Sequence, residues 1–168
     1  MKKSKISPRN IETPLHGSAD QETRSFFMPV RETFSFATHL GLMPIFYKID
    51  KPHKLVMTTA SDVFNLDAAF AHQDQLLKDP DFDPVYSQLL DFTHVAKVEF
   101  SADDVRRISK RSVFWPCSRR AILVKDDLLF GLATLFEMLR ANAGEKGVRV
   151  FRSLNDALDW IIEGNACD

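Results

Sequence analysis

The sequence predicts an α/β domain built on a largely parallel sheet, and three observations predict it. From about Met43 onward, short apolar runs alternate with segments of helical periodicity in the order ββαβαβαβα. The first two runs are separated only by Lys51-Pro52-His53, a turn-length gap that makes an opening antiparallel hairpin. Each later pair is separated by a helix, which makes parallel neighbours joined by right-handed crossovers. A chain of 168 residues is about one domain long and can bury a single core without disulfides or metal.

Taken in order, Ile45 to Asp50 and Lys54 to Ala60 are the two hairpin strands. Leu66, Ala69, Phe70, Leu76 and Leu77 then recur at helical spacing, with His72 and Asp74 off that stripe. This first helix should end near Lys78, because prolines at 80 and 84 disfavour helical geometry in the residues before them. Phe82 is expected to anchor the loop. Gln88 to Phe92 is a short apolar run bounded by polar residues, as an interior strand buried on both faces would be. Ser101 is placed as a helix N-cap, with Asp103 and Asp104 favouring the positive helix end and Val105 and Ile108 as an apolar edge, in a helix running to about Ser112.

Arg120 to Lys125, centred on Ala121-Ile122-Leu123-Val124, is the most strand-like run in the chain. Asp126 or Asp127 can cap the next helix, whose Leu128, Leu132, Leu135, Phe136 and Leu139 form a broad stripe ending before Gly144. Gly131 within it points to close helix packing. Val148 to Phe151 is the last strand and Ser153 the last N-cap. Leu154, Ala157, Leu158 and Ile161 line the final buried face, with Trp160 beside it.

The α/β domain is thus expected over residues 43–163, with residues 164–168 as a tail. Residues 1–42 are expected to be a mobile or loosely docked extension: 1–25 hold few large apolar groups, and the apolar positions of 26–42 fit neither a long helix nor a clean strand. Translation beginning at Met43 is a further expectation, since a strand-like run follows it almost at once.

A formal charge of -1 gives no global attraction to nucleic acid or membrane, so an electrostatic partner must be sought in a local patch. Cys117 and Cys167 are the only cysteines, too few for a disulfide framework or a four-ligand zinc site. A reducing, cytoplasmic setting with Cys117 as an inert thiol fits best. No signal-peptide core and no run approaching the roughly 20 apolar residues of a membrane span is present. The five histidines show no metal-ligand spacing, so neither metal nor cofactor is expected.

Tyr47-Lys48-Ile49-Asp50, Leu90-Asp91, Arg119-Arg120-Ala121, Phe130-Gly131-Leu132-Ala133 and Ala157-Leu158-Asp159-Trp160, in this order and spacing, resemble the SpoIIAA-like, STAS-related family over about residues 43–162. The resemblance implies a (β/α) superhelix of the kind shared by anti-sigma-factor antagonists and CRAL-TRIO lipid carriers. In the phosphoregulated antagonists the phosphoacceptor serine stands where this chain has Phe100, and Ala102 replaces the glycine that follows. Ser101 is one position late, which leaves it as the candidate phosphosite out of the family's register.

Three groups are candidates for function. Asp91, Thr93 and His94 follow the central strand and Lys125 ends the next, so they can face the crevice at the carboxyl ends where open α/β sheets bind ligands. The plainer reading is that Asp91 accepts backbone hydrogen bonds in a loop and His94 lies on the surface. Arg106, Arg107, Lys110 and Arg111 occupy adjacent helical rows, and Arg119 and Arg120 follow in a loop with Phe114 and Trp115. Together they could hold a phosphate, a lipid headgroup or an acidic protein surface, or be a solvated helix face. Ser101 suits phosphorylation at a helix N-terminus and equally serves as a plain cap.

No nucleophile, base and orienter occur at a recognisable spacing, so an enzyme is not expected. The expected role is a non-enzymatic regulatory or protein-interaction module with an unidentified protein partner. The alternative is a carrier or sensor of a small apolar or lipid ligand, for which a cavity of several hundred Å3 would speak. Nucleic acid and stable membrane insertion are not expected, and a homodimer stays open.

Overall fold

The computed structural model describes residues 44–163, all within one compact unit, and the expectations for 1–42 and 164–168 lie outside the described residues. Five strands form one sheet in sequential order: β1 (Ile45–Asp50), β2 (Leu55–Asn65), β3 (Ser87–Glu99), β4 (Arg120–Leu123) and β5 (Val148–Phe151). β1 and β2 pair antiparallel, and every later pair is parallel. The helices are α1 (Leu66–Lys78), α2 (Ala102–Ile108), α3 (Asp127–Asn142) and α4 (Leu154–Ile162). Each βα unit therefore adds its strand on the same side of the last, the progression of a (β/α) superhelix and the ββαβαβαβα order that the periodicity predicts.

Alternation along the strands sorts the core into two layers, because successive side chains leave a strand on opposite faces. Ile122 of β4 and Val124 just past its end join one apolar cluster with Ile45, Ala60, Phe64, Ala69, Ile108 and Leu129, covered by α1, α2 and α3. Ala121 and Leu123 join the opposite cluster with Leu89, Ala157 and Trp160, where α4 returns across β3 and β4. A third cluster closes the strands' starting end, with Val56, Leu76, Val113 and Phe114 under Phe82, which meets Phe114 edge to face.

The helix starts are set by local chemistry. Asn65, Ser101, Asp126 and Ser153 each accept a hydrogen bond from a backbone N–H of the first turn. Ser101 and Asp104 complete a reciprocal capping box. Gly144, at φ 90°, sits in the left-handed region just past α3, where a side chain would be strained. Gly131 has open space where a Cβ would stand, so the close packing expected of it is absent.

Several boundaries differ from the sequence reading, for identifiable reasons. β2 and β3 run on well past Ala60 and Phe92, and two register shifts interrupt their pairing, between Thr59 and Ser61 and between Asp62 and Val63. At each shift β3 contributes one residue more than β2, so the inward set along β3 and just past its end becomes Leu90, Phe92, Val95, Val98 and Phe100. That spacing of two, three, three and two residues breaks the period that marks a strand in sequence. β4 stops at Leu123, so the far part of β3 extends as a two-stranded ribbon with β2.

α1 also turns differently: its buried positions are Ala69, His72 and Leu76, whereas Leu77 is 53% exposed. α2 ends at Ile108 rather than near Ser112, because the guanidinium of Arg140 reaches in to the carbonyls of Ser109 and Arg111. Leu154, expected on the buried face of α4, is 43% exposed, while Ala157 and Trp160 carry the contact.

Candidate functional site

A cavity of about 120 Å3, partly open to solvent, lies between the sheet and helices α1, α2 and α3. Most of its wall is apolar. The β2/β3 ribbon supplies Phe64, Phe92 and Phe100, with Phe64 edge-on to Phe92 and stacked on Phe100. α3 supplies Leu129, Leu132, Ala133 and Phe136.

One region of the wall is polar, and strand register places it. Val56, Gln88, Arg120 and Val148 are successive partners across β2 to β5, so Gln88 and Arg120 are neighbours on the helix-facing side. Thr58 stands one step further along β2, and His72 of α1 lies over it. The Gln88 amide donates to Thr58 Oγ1 at 3.0 Å and approaches His72 Nε2 at 3.5 Å, while Thr58 Oγ1 lies 3.4 Å from the same nitrogen.

In the tautomer in which Nε2 accepts from Gln88 and Thr58, the ring proton resides on Nδ1. His72 Nδ1 is buried and has no partner. Burial pushes the His72 pKa down to about 4, so the ring is neutral at physiological pH. Tyr47 of β1 packs its ring against His72 at 5.5 Å and donates its hydroxyl to Asp79 at 2.9 Å; burial, with the Asp79 carboxylate beside it, pushes that phenol up to about 12.

Arg120 belongs to a second buried group. Arg120, Arg140 and Glu145 are 6%, 3% and 4% exposed, and both guanidiniums contact the one carboxylate. Ser112 Oγ donates to Glu145 Oε1 at 2.6 Å, and Arg140 Nε to Oε2 at 2.8 Å. The rings of Phe114 and Phe136 flank the Arg120 guanidinium at 5.6 and 6.0 Å. The group carries two positive charges against one negative, and Arg120 Nε has no partner. Desolvation, reinforced by Arg140, lowers the Arg120 pKa to about 9.

Of the residues singled out from sequence, Asp91 and Arg120 border the cavity, while most of the others lie on the surface. Asp91, Thr93 and His94 lie within β3, not beyond its end, because the strand continues to Glu99. Asp91 Oδ1 accepts from the Thr93 backbone N–H at 2.8 Å while its residue borders the cavity, and His94 is exposed. Lys125 is exposed and its carbonyl accepts from Arg152.

Arg106 pairs with Asp103 at 2.6 Å, Arg107 with Asp104 at 3.7 Å and Arg111 with Asp74 at 2.5 Å, while Lys110 is exposed. Arg119 turns to the other sheet face, over Trp160 and toward Glu163, so the six cations form no single patch. Trp115 is 58% exposed. Cys117, expected as a reduced thiol, is disulfide-bonded; spacing along a chain does not report distance in a fold. Among the described residues no group of three or more His, Cys, Asp or Glu is placed to hold a metal ion, and no helix is long and apolar enough to cross a membrane.

Ser101 is exposed, and its hydroxyl donates to Asp104 Oδ2 at 2.7 Å. A phosphate there would stand against that carboxylate and displace the capping box. Replacing Ser101 with Ala is expected to cost about 1 kcal/mol of folding stability through the lost cap. Chemical denaturation measures it, and an unchanged midpoint would show that the cap is dispensable.

His72 is a residue that sequence reasoning misses as part of a site, and it groups Arg120 with the surface cations rather than with the interior. A spacing of three and seven from Ala69 to His72 and Leu76 was the available signal for the histidine. Nothing in the sequence marked Arg120 as buried, since arginines next to a strand are ordinarily exposed.

Fold and cavity together define an α/β superhelical domain with a small, mostly apolar hollow that has buried nitrogen donors at one side. No family model and no curated protein matches the chain. Among solved structures it is similar to an uncharacterised protein from Shewanella loihica PV-4, of the DUF3478 family with a SpoIIAA-like fold. The match has 20% identity and a TM-score of 0.45, and covers 71% of this chain and 95% of that one.

Proposed function

We propose that the chain is a non-enzymatic binding module that carries or senses a small, largely apolar molecule held between its sheet and helices. The observation that supports this reading is the cavity itself, at about 120 Å3 and walled chiefly by Phe, Leu, Val and Ala. Well-packed interiors leave few voids larger than a water molecule, and apolar cavities of roughly 150 Å3 stay dry and admit benzene. The space is smaller than the several hundred Å3 expected of a lipid carrier, which favours a benzene-sized group over a whole lipid tail.

The protein-interaction reading centred on Arg106, Arg107, Lys110 and Arg111 has less support, because three of those four cations are matched by nearby carboxylates. Exposed pairs of this kind contribute little to stability, and they leave little net charge to attract an acidic partner.

Toluene provides the test. At about ten times its Kd it should stabilise the wild-type protein by about 1.4 kcal/mol, read as a raised Tm. Replacing Ala133 with Phe fills the space from α3 and should abolish that rise. No toluene-dependent shift in the wild type would refute the reading.

A further inference from the structure

Two side-chain nitrogens of residues lining the cavity, His72 Nδ1 and Arg120 Nε, have no hydrogen-bond partner among the described residues. Arg120 Nε is an N–H donor, and His72 Nδ1 carries the ring proton in the tautomer whose Nε2 accepts from Thr58 and Gln88. Both residues are 6% exposed and both line the cavity. Gln88 links them: it is next to Arg120 across the sheet and in contact with His72. Buried donors left unmatched are destabilising, and more so when one of them is cationic.

The charge count points the same way. Arg140 and Glu145 alone would make a neutral pair, complete with Ser112 and the Ser109 and Arg111 carbonyls. Arg120 adds a second positive charge to that pair, and only its Nη2 has a recorded bond to the carboxylate. A buried, uncompensated charge calls for a counter-charge. What the Arg120–Arg140–Glu145 group lacks in direct contact is a second negative charge. Asp91, the carboxylate elsewhere on the cavity wall, accepts from the Thr93 backbone N–H, so the missing acceptor is one small enough for the hollow and attached to an apolar body.

Resting on the cavity reading above, we infer that the ligand is a small apolar carboxylate, whose carboxylate accepts from Arg120 Nε and His72 Nδ1 while its hydrocarbon part lies against Phe64, Phe92, Phe100 and α3. The other charged or polar groups bordering this region are Gln73, whose Oε1 is buried without a partner, and Asp91, whose carboxylate is engaged by the Thr93 backbone. Neutral amphiphiles would satisfy the donors but leave the excess charge. Amines would add to it.

Benzoate and benzyl alcohol, which share a ring and differ in charge, separate the possibilities on the full-length protein by calorimetry. Benzoate is expected to bind the wild type at least about tenfold more tightly, the scale of a charge-assisted hydrogen bond. Arg120→Met, which leaves Arg140 and Glu145 as a neutral pair, should erase that preference while benzyl alcohol binding persists. Benzyl alcohol binding as tightly as benzoate to the wild type would overturn the carboxylate inference and leave the cavity reading standing. If neither probe nor toluene binds, both fall.

A benzoate preference that survives in Arg120→Met would place the anion elsewhere and also overturn the inference. Should that variant not fold, the arginine Nε–H resonances of the wild type decide the matter. Benzoate, and not benzyl alcohol, should shift one of them, identified as Arg120 by assignment. No shift would count against the site.

Discussion

Replacing Glu145 with Ala is expected to cost about 3–5 kcal/mol of folding stability, the penalty for breaking a buried ionic group from one side. The carboxylate is 4% exposed and is the one negative charge between Arg120 and Arg140, which are themselves buried. Its removal leaves two buried guanidiniums without the carboxylate they share. It also releases Ser112, so the segment joining α2 to β4 loses a tether.

Arg120→Met should behave in the opposite sense, costing little or stabilising, since it removes the unbalanced charge and keeps the neutral pair. Urea unfolding of the two variants measures both. A loss below about 1 kcal/mol for Glu145→Ala would show that the charges are solvated in solution, and with it would go the argument for an anionic ligand.

The second large effect is a pH dependence carried by His72. Its pKa is about 4 in the folded chain, against about 6.5 when unfolded. Above pH ~6.5 the ring is neutral in both states and contributes no slope. Between there and pH ~4 the unfolded chain takes up a proton that the folded chain refuses, so stability falls with falling pH. From this group alone the loss reaches about 2.5 kcal/mol at pH ~4.5 relative to pH ~7.5.

His72→Gln keeps a polar side chain beside Thr58 and Gln88 but cannot titrate. Denaturation of both proteins at the two pH values isolates the histidine, because Asp79, Tyr47 and the other titrating groups are common to both. Parallel profiles would mean that the ring is protonated in the fold or accessible to water. A carboxylate ligand held by His72 Nδ1–H would raise the histidine pKa, so saturating benzoate should reduce the slope in the wild type.

How much of this was legible in the sequence depends on the range of the interaction responsible. β1, β5 and the N-caps Ser101 and Ser153 fall where local pattern places them, since each is decided by residues within a few positions. The extension of β3 was not legible, because two bulges divide its inward residues into unequal steps. The end of α2 was set by Arg140, about 30 positions away in the chain. His72 was put off the apolar stripe because a histidine does not look like a core residue, although its spacing from Ala69 and Leu76 is helical.

The amino-acid order by itself determined the alternation of strands and helices, the antiparallel opening and the parallel remainder. Those follow from side-chain periodicity and connection length, which are properties of short segments. Only the tertiary structure decided that Arg120 is buried beside Gln88 and that Glu145 lies between two arginines. It likewise decided that a phenylalanine-lined hollow forms between sheet and helices. Each of these depends on register between strands and on packing across layers, and a linear pattern does not encode which distant side chains will share one desolvated space.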